Sequence, residues 1–407
     1  MRGHRARRVA LGTVLAAALA GCAGAQPHRA LPVLVLGEPS FFPTLEAYAA
    51  APIVGGNLVE ILLNGEQIFP AVLEAMAAAR RTITYAQHVW EDGPVARDVA
   101  AALAERCRAG VGVNVLLDGV GARGMPAPHL ELLRRSGCHV AHVRAAGEDG
   151  VRRRNHRRLL VVDGRVGFTG GSGVSRWWMG NGRVPGHWRD TDVRVEGPAV
   201  EHLQAAFAES WLQATGIVLG GPAYFPRPRR PRGPVYAQVV RSSPVAGTRS
   251  LYTTLLLAVA SARRSISITN PSLVLDGPFT GALVRAASRG VRVVALVPGA
   301  EDGVPPPGGA RLRALDEAGI EVHAYHPARL NARTIVIDGV WATVGSLTLD
   351  HRTLGAHDEV NLVVYSSAVA GRLEQAFRDD LRHARRLTVD ADRRSVDAPR
   401  PAGRDAR

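Results

Sequence analysis

Apolar residues fall into the same order twice along this chain. Near-continuous apolar runs at 113–117 and 291–297 hold too few polar positions to face water, so each predicts a strand covered on both faces. Gly110 and Gly290 stand just before these runs, where a helix is expected to stop in a left-handed cap. The flanking segments repeat as well. Ala77-Ala78-Ala79-Arg80-Arg81-Thr82-Ile83-Thr84 is matched by Ala260-Ser261-Ala262-Arg263-Arg264-Ser265-Ile266-Ser267, and Leu133-Arg134-Arg135-Ser136-Gly137 by Leu315-Asp316-Glu317-Ala318-Gly319. Each pass predicts helix, strand, helix, strand, helix, strand and one further strand. The pattern is that of an α/β protein made from two copies of one unit, over 51–220 and 236–390.

Between the copies, 221–235 includes Pro226-Arg227-Pro228-Arg229-Arg230-Pro231-Arg232 and reads as a basic, proline-stiffened linker. Residues 391–407 lack periodicity and are expected to be disordered. Residues 22–50, with four prolines and few periodic apolar positions, read as a tether.

Ahead of the tether, Arg2, His4, Arg5, Arg7 and Arg8 precede an apolar stretch over 9–20 that is short for a membrane span. It ends in Leu19-Ala20-Gly21-Cys22, the form of a bacterial lipobox: small residues admit a signal peptidase and the Cys22 thiol accepts lipid. Residues 1–21 are thus expected to be a lipoprotein signal peptide. The mature chain would sit on the outer face of a bacterial membrane, with the outer membrane or periplasmic side favoured because Ala23 is not acidic. An oxidising compartment permits a Cys107–Cys138 disulfide, and two separate buried thiols fit the sequence equally.

Composition changes this picture in one respect. The 407 residues carry a formal charge of +14, and no lysine contributes to it. A basic surface favours anionic partners, phospholipid head groups or nucleic acid. An arginine standing where a motif uses lysine therefore reflects the whole chain.

The chemistry concentrates in two matching segments. Asn155-His156-Arg157-Arg158-Leu159-Leu160-Val161-Val162-Asp163-Gly164 precedes Phe168-Thr169-Gly170-Gly171-Ser172, and Leu330-Asn331-Ala332-Arg333-Thr334-Ile335-Val336-Ile337-Asp338-Gly339 precedes Thr343-Val344-Gly345-Ser346. On extended backbone His156 and Arg158 project to one side, as do Asn331 and Arg333. Asp163 lies an odd number of positions from His156, faces away, and is assigned to support of the motif strand. A neutral imidazole beside a fixed cation suits attack on phosphorus.

Both segments resemble the HxKxxxxD motif of the phospholipase D superfamily. Trp90-Glu91-Asp92, Trp188-Arg189-Asp190-Thr191, Glu196-Gly197-Pro198-Ala199-Val200 and Val239-Val240-Arg241-Ser242-Ser243-Pro244 resemble bacterial cardiolipin synthases specifically. The resemblance spans roughly 57–385. It implies two phospholipase D-like repeats packed as a pseudo-twofold sandwich with the site at their interface. It also implies a phosphohistidine mechanism without metal or other cofactor: one His attacks the phosphodiester and the other protonates the departing alcohol. In cardiolipin synthases the acceptor is a phosphatidylglycerol hydroxyl and glycerol departs. The motif positions are His156, Arg158, Asp163, Asn331, Arg333 and Asp338. Asp190 and Glu359 match carboxylates that orient the histidines, and Ser172 and Ser346 belong to the trailing small-residue pair.

The sequence departs from the family in three places. Lysine is Arg158 and Arg333, and the Asn after the glycine pair is Gly173 or Thr348. Above all, the second histidine is Asn331, an amide that relays no proton at neutral pH. His326, His351 and His357 are candidate substitutes, each also readable as an ordinary loop histidine. Trp177-Trp178-Met179 reads either as a lipid-facing element or as core or lid. The expected function is phosphatidyl transfer from an anionic, phosphatidylglycerol-like lipid. A scaffold that binds such lipids is the alternative; a nuclease is disfavoured by the lipobox and the cardiolipin synthase signatures, so nucleic acid is not an expected partner.

Overall fold

The computed structural model describes residues 34–35, 38–143, 154–227, 230–243, 247–299, 309–354 and 356–388. The lipobox with Cys22 and the 391–407 tail lie outside these residues.

In the first half, β1 (Val54–Leu63), β2 (Thr82–Gln87), β3 (Gly112–Asp118), β4 (His139–Val143), β5 (Arg154–Asn155), β6 (Leu159–Val162), β7 (Val166–Gly170) and β8 (Thr191–Glu196) follow one another. The second half has β9 (Val235–Ser242), β10 (Ser265–Thr269), β11 (Leu273–Val274), β12 (Arg292–Pro298), β13 (Glu321–Tyr325), β14 (Thr334–Ile337), β15 (Trp341–Gly345), β16 (Leu349–Asp350), β17 (His357–Tyr365) and β18 (Ala384–Arg386). Helices 94–108 and 277–288 make the crossovers β2–β3 and β10–β12, which pair in parallel as such connections require. Gly110 (φ 84°) and Gly290 (φ 88°) turn the chain out of these helices, a conformation that penalises any Cβ.

The duplication is visible in the sheet. Its first half is ordered β4-β3-β2-β6-β7-β8-β1 and its second β13-β12-β10-β14-β15-β17-β9, with β18 added beside β13. β1 pairs with β9 antiparallel, with a register shift between Val54 and Asn57, so hydrogen bonding runs from one half into the other. The sheet also folds onto itself. Val193 and Val195 of β8 share a core with Ala342 and Val344 of β15 and with Val360 and Leu362 of β17. This is the sandwich the repeats imply, joined along one side by backbone pairing.

Two segments differ from the sequence expectation. Within the supposed tether, Phe41–Ala49 is a helix that packs on helix Ser250–Ser261 of the second half. Phe41, Leu45 and Ala49 recur every fourth position and form its buried face, a periodicity too brief to stand out among prolines. The supposed linker is strapped to the first half. The Thr82 hydroxyl donates to the Ala223 carbonyl (3.0 Å), the Arg232 amide to the Gly56 carbonyl (2.7 Å), and the Arg232 guanidinium pairs with Glu196 (2.8 Å). Cys107 and Cys138 form a disulfide, which joins the end of helix 94–108 to the entry of β4. No helix among the described residues is long and apolar enough to cross a membrane.

Candidate active site

Each motif segment is extended backbone running into a fully buried strand, His156 to Arg158 into β6 and Asn331 to Arg333 into β14. Neighbouring backbone from the other half fixes both. The His156 amide donates to the Asp358 carbonyl (3.0 Å), and the Asn331 amide to the Arg189 carbonyl (2.8 Å). The side chains are exchanged in the same way. His156 Nδ1 lies 2.9 and 3.1 Å from the Glu359 carboxylate oxygens, and Asn331 Nδ2 donates to Asp190 Oδ2 at 2.6 Å. The residues at the two histidine positions of the motifs, His156 and Asn331, are thus each held by a carboxylate from the opposite repeat.

The two arginines do different work. Arg158 is buried, yet its Nε and Nη1 find no acceptor among the described residues. Burial, then the nearby Arg333 guanidinium, pushes it down to about 9, so it still carries its charge at neutral pH. Arg333 is largely occupied. Nη1 donates to the Asn331 carbonyl (2.9 Å) and the Gly171 carbonyl (3.3 Å), Nη2 to Asn331 Oδ1 (3.3 Å), and Nε to Thr348 Oγ1 (3.2 Å). The two motif guanidiniums therefore divide: Arg158 lines the cavity and Arg333 holds Asn331 and adds its field.

That field decides the state of His156. Burial, then Arg158, Arg333 and His357, hold its pKa well below the ordinary imidazole value, so the ring is neutral at pH 7. Burial raises Glu359 to about 7, while Ser346 Oγ donates to it and fixes its position. With Glu359 ionised, Nδ1–H is donated to it and the Nε2 lone pair is left for the cavity. Ser172 Oγ donates to Asp192, which burial and the neighbouring Asp190 raise to about 6. Gly171 permits the close packing: a Cβ there would lie 2.2 Å from Asp190 Oδ1.

Asp163 and Asp338 stand outside this constellation, at the far ends of β6 and β14. Asp163 accepts from the backbone amides of Arg80, Arg81 and Thr82 (3.0, 2.7 and 2.9 Å), and Asp338 from those of Arg263, Arg264 and Ser265 (2.9, 2.7 and 2.9 Å). They clamp a turn in each repeat and touch no reacting group.

Both halves line a cavity of about 750 Å³ whose walls include His88, His156, Arg158, Asn331, His326 and Arg329. Among the candidate substitutes, His326 reaches it on the loop that leads to Asn331. His357 lies against His156 with ring centroids 5.6 Å apart. His351 is removed from the cavity, with Nδ1 3.0 Å from the Val274 carbonyl. Trp178 is core: its indole donates to Asp190 Oδ2 (2.7 Å) and fills the space that a side chain at Gly173 would need. Trp177 and Trp188 stack at the cavity wall (6.4 Å, 20° between planes). His156, His357 and Glu359 bring ligand atoms within 4.8 Å of one another, a set able to hold a metal ion, though the adjacent guanidiniums oppose a cation there.

His88 escaped the sequence reading. Its ring meets His156 edge to face at 4.5 Å, and burial, then His156 and Arg158, keep it neutral. The available signal was position, since His88 follows the C-terminal end of a buried parallel strand, where ligand sites of α/β sheets gather.

Duplicated α/β halves that meet at paired motif segments define a phospholipase D-like protein. A family model described as "Cardiolipin synthase, PLD-like domain" matches residues 255–381. Cardiolipin synthase A of Pseudomonas syringae pv. syringae is 31% identical, over 84% of this chain and 74% of that protein. Cardiolipin synthase A of Pseudomonas aeruginosa is 33% identical, over 85% and 71%. The crystal structure of phosphatidylserine synthase from Haemophilus influenzae superposes with a TM-score of 0.67, 11% identity, and coverage of 85% of this chain and 92% of that one. The chain belongs to the cardiolipin synthase family.

Proposed function

We propose that the protein transfers a phosphatidyl group between phosphatidylglycerol-like lipids through a phosphohistidine at His156. One observation carries this reading: a neutral imidazole, held through Nδ1 by Glu359, shares a cavity with Arg158, a buried cation whose Nε and Nη1 have no acceptor among the described residues. Buried donors without acceptors are costly, and non-bridging phosphate oxygens satisfy them. In the first step the Nε2–P bond forms, the P–O bond to glycerol breaks, and the glycerol oxygen takes a proton. In the second, an acceptor hydroxyl loses a proton, its oxygen bonds to phosphorus, and Nε2 departs. The proton balance closes over the two steps. His326, on the same loop as Asn331 and in the same cavity, is the titratable group assigned to carry that proton.

Asn331 favours a second reading, a lipid-binding protein without turnover, because its amide supplies no proton. The test is incubation with phosphatidylglycerol, with lipid products and the His156 adduct followed by mass spectrometry. Transfer predicts both for the unmodified chain, their loss in His156→Ala, and a gain of about 10²–10⁴-fold in Asn331→His. Absence of product and adduct from the unmodified chain, with activity only in Asn331→His, establishes the binding protein.

We also propose that residues 1–21 direct export and that Cys22 carries the lipid anchor, on the strength of the lipobox. Radiolabelled palmitate should enter the chain in a bacterial host and not enter Cys22→Ala; equal labelling of both would refute the anchor.

A further inference from the structure

Transfer between two lipids brings two phosphates to one cavity, and the cage around His156 accounts for one. Arg329 lines the same cavity four residues before Arg333, and its guanidinium lies over the Trp188 ring, 4.4 Å from the centroid. Among the described residues no carboxylate pairs with it. Cation–π attraction seats the guanidinium against the ring. A planar fork held in this way suits bidentate contact with a phosphodiester. Its field reaches the site, since Arg329 is among the cations that hold Arg333 below the ordinary arginine value. Trp177 stacks on Trp188, and Arg176 lies over Trp177 at 4.5 Å, so a second cation flanks the same aromatic pair.

We propose that Arg329, seated on Trp188, binds the phosphodiester of the acceptor lipid and is the element that selects a second anionic phospholipid over water or a simple alcohol. The assignment rests on the transfer reading above. With the donor phosphate at Arg158, an acceptor whose phosphate rests on Arg329 has its glycerol between the two cations. Its free hydroxyl then lies beside the phosphorus to be attacked. Water and short alcohols gain nothing from this contact.

The test compares acceptors in the full-length protein. With phosphatidylglycerol as donor, transfer to a second phosphatidylglycerol is measured against transfer to added glycerol. Arg329→Gln should lower the ratio of the two at least tenfold through a raised KM for the lipid acceptor, and Arg329→Lys should restore part of it. An unchanged ratio, or equal loss with both acceptors, overturns the proposal. If the protein transfers nothing, binding still decides. His156→Ala should bind two equivalents of glycerophosphoglycerol by calorimetry, and His156→Ala/Arg329→Gln one. Inorganic phosphate in a parallel titration separates a site for any phosphate, which would overturn head-group selection, from one that needs the glycerol diester. One equivalent in both variants also overturns the proposal.

Discussion

A carboxylate buried against an imidazole determines which ring nitrogen is free to react. Glu359, raised to about 7 chiefly by burial, accepts Nδ1–H of His156 while ionised. As pH falls through that value the carboxyl gains a proton and donates to Nδ1, and the ring proton moves to Nε2. His156 itself stays neutral throughout, because burial and the two arginines oppose its charging. Formation of the phosphohistidine should therefore fall about tenfold per pH unit below pH 7, a limb set by Glu359. Glu359→Gln keeps an acceptor that does not ionise, so the limb should vanish while the rate drops by roughly 10²-fold or more. A pH–rate profile of both proteins checks this; an acid limb that persists in the variant would assign it elsewhere. At this scale the sequence was only partly legible. Motif spacing placed His156 and Arg158 on one side, but nothing in it showed that Arg333 spends its donors on Asn331. His88 and Arg329 belong to no motif, and their role depends on what the fold brings beside them.

At the scale of elements, what was legible followed from periodicity. The apolar runs and the glycines after helices gave the strand–helix alternation of both repeats, because strands covered on both faces leave little room for polar residues. Helix Phe41–Ala49 was missed because two turns offer only three core positions and its partner helix lies more than two hundred residues away. The turns after the motif strands show how a motif acid can serve architecture. Asp163 and Asp338 both have positive φ, 53° and 56°, where Asp and Asn are tolerated better than most side chains. Each gathers three backbone N–H groups of a neighbouring turn. Asp338→Ala should lower stability by about 1–3 kcal/mol, less than three full hydrogen bonds because water reaches part of the turn. Asp338→Asn, which keeps the backbone tolerance, should cost less. Urea denaturation of the two variants measures the order, and the reverse order would remove the clamp.

For the whole molecule, the repeats are complementary rather than merely adjacent. Glu359 of the second half holds His156 of the first, and Asp190 of the first holds Asn331 of the second. The sheet crosses from β1 to β9, and Val193 and Val195 are covered by Ala342, Val344 and Leu362 across the fold. A single half leaves this apolar face exposed and its nucleophile without the carboxylate that sets the tautomer. The strap over 230–235 binds to the first half, so a break at 228–229 divides the chain between elements already held in place. Chains covering 23–228 and 229–388, produced separately, should each aggregate and give no adduct at His156. Produced together in an oxidising compartment, where Cys107 and Cys138 can pair, they should assemble and recover adduct formation at least a hundredfold above either alone. Introducing Glu359→Ala into the second chain should abolish the recovery without preventing assembly by size-exclusion chromatography. An adduct formed by the first half alone would show that the crossed carboxylate is dispensable, and the exchange of side chains between repeats would then concern folding only.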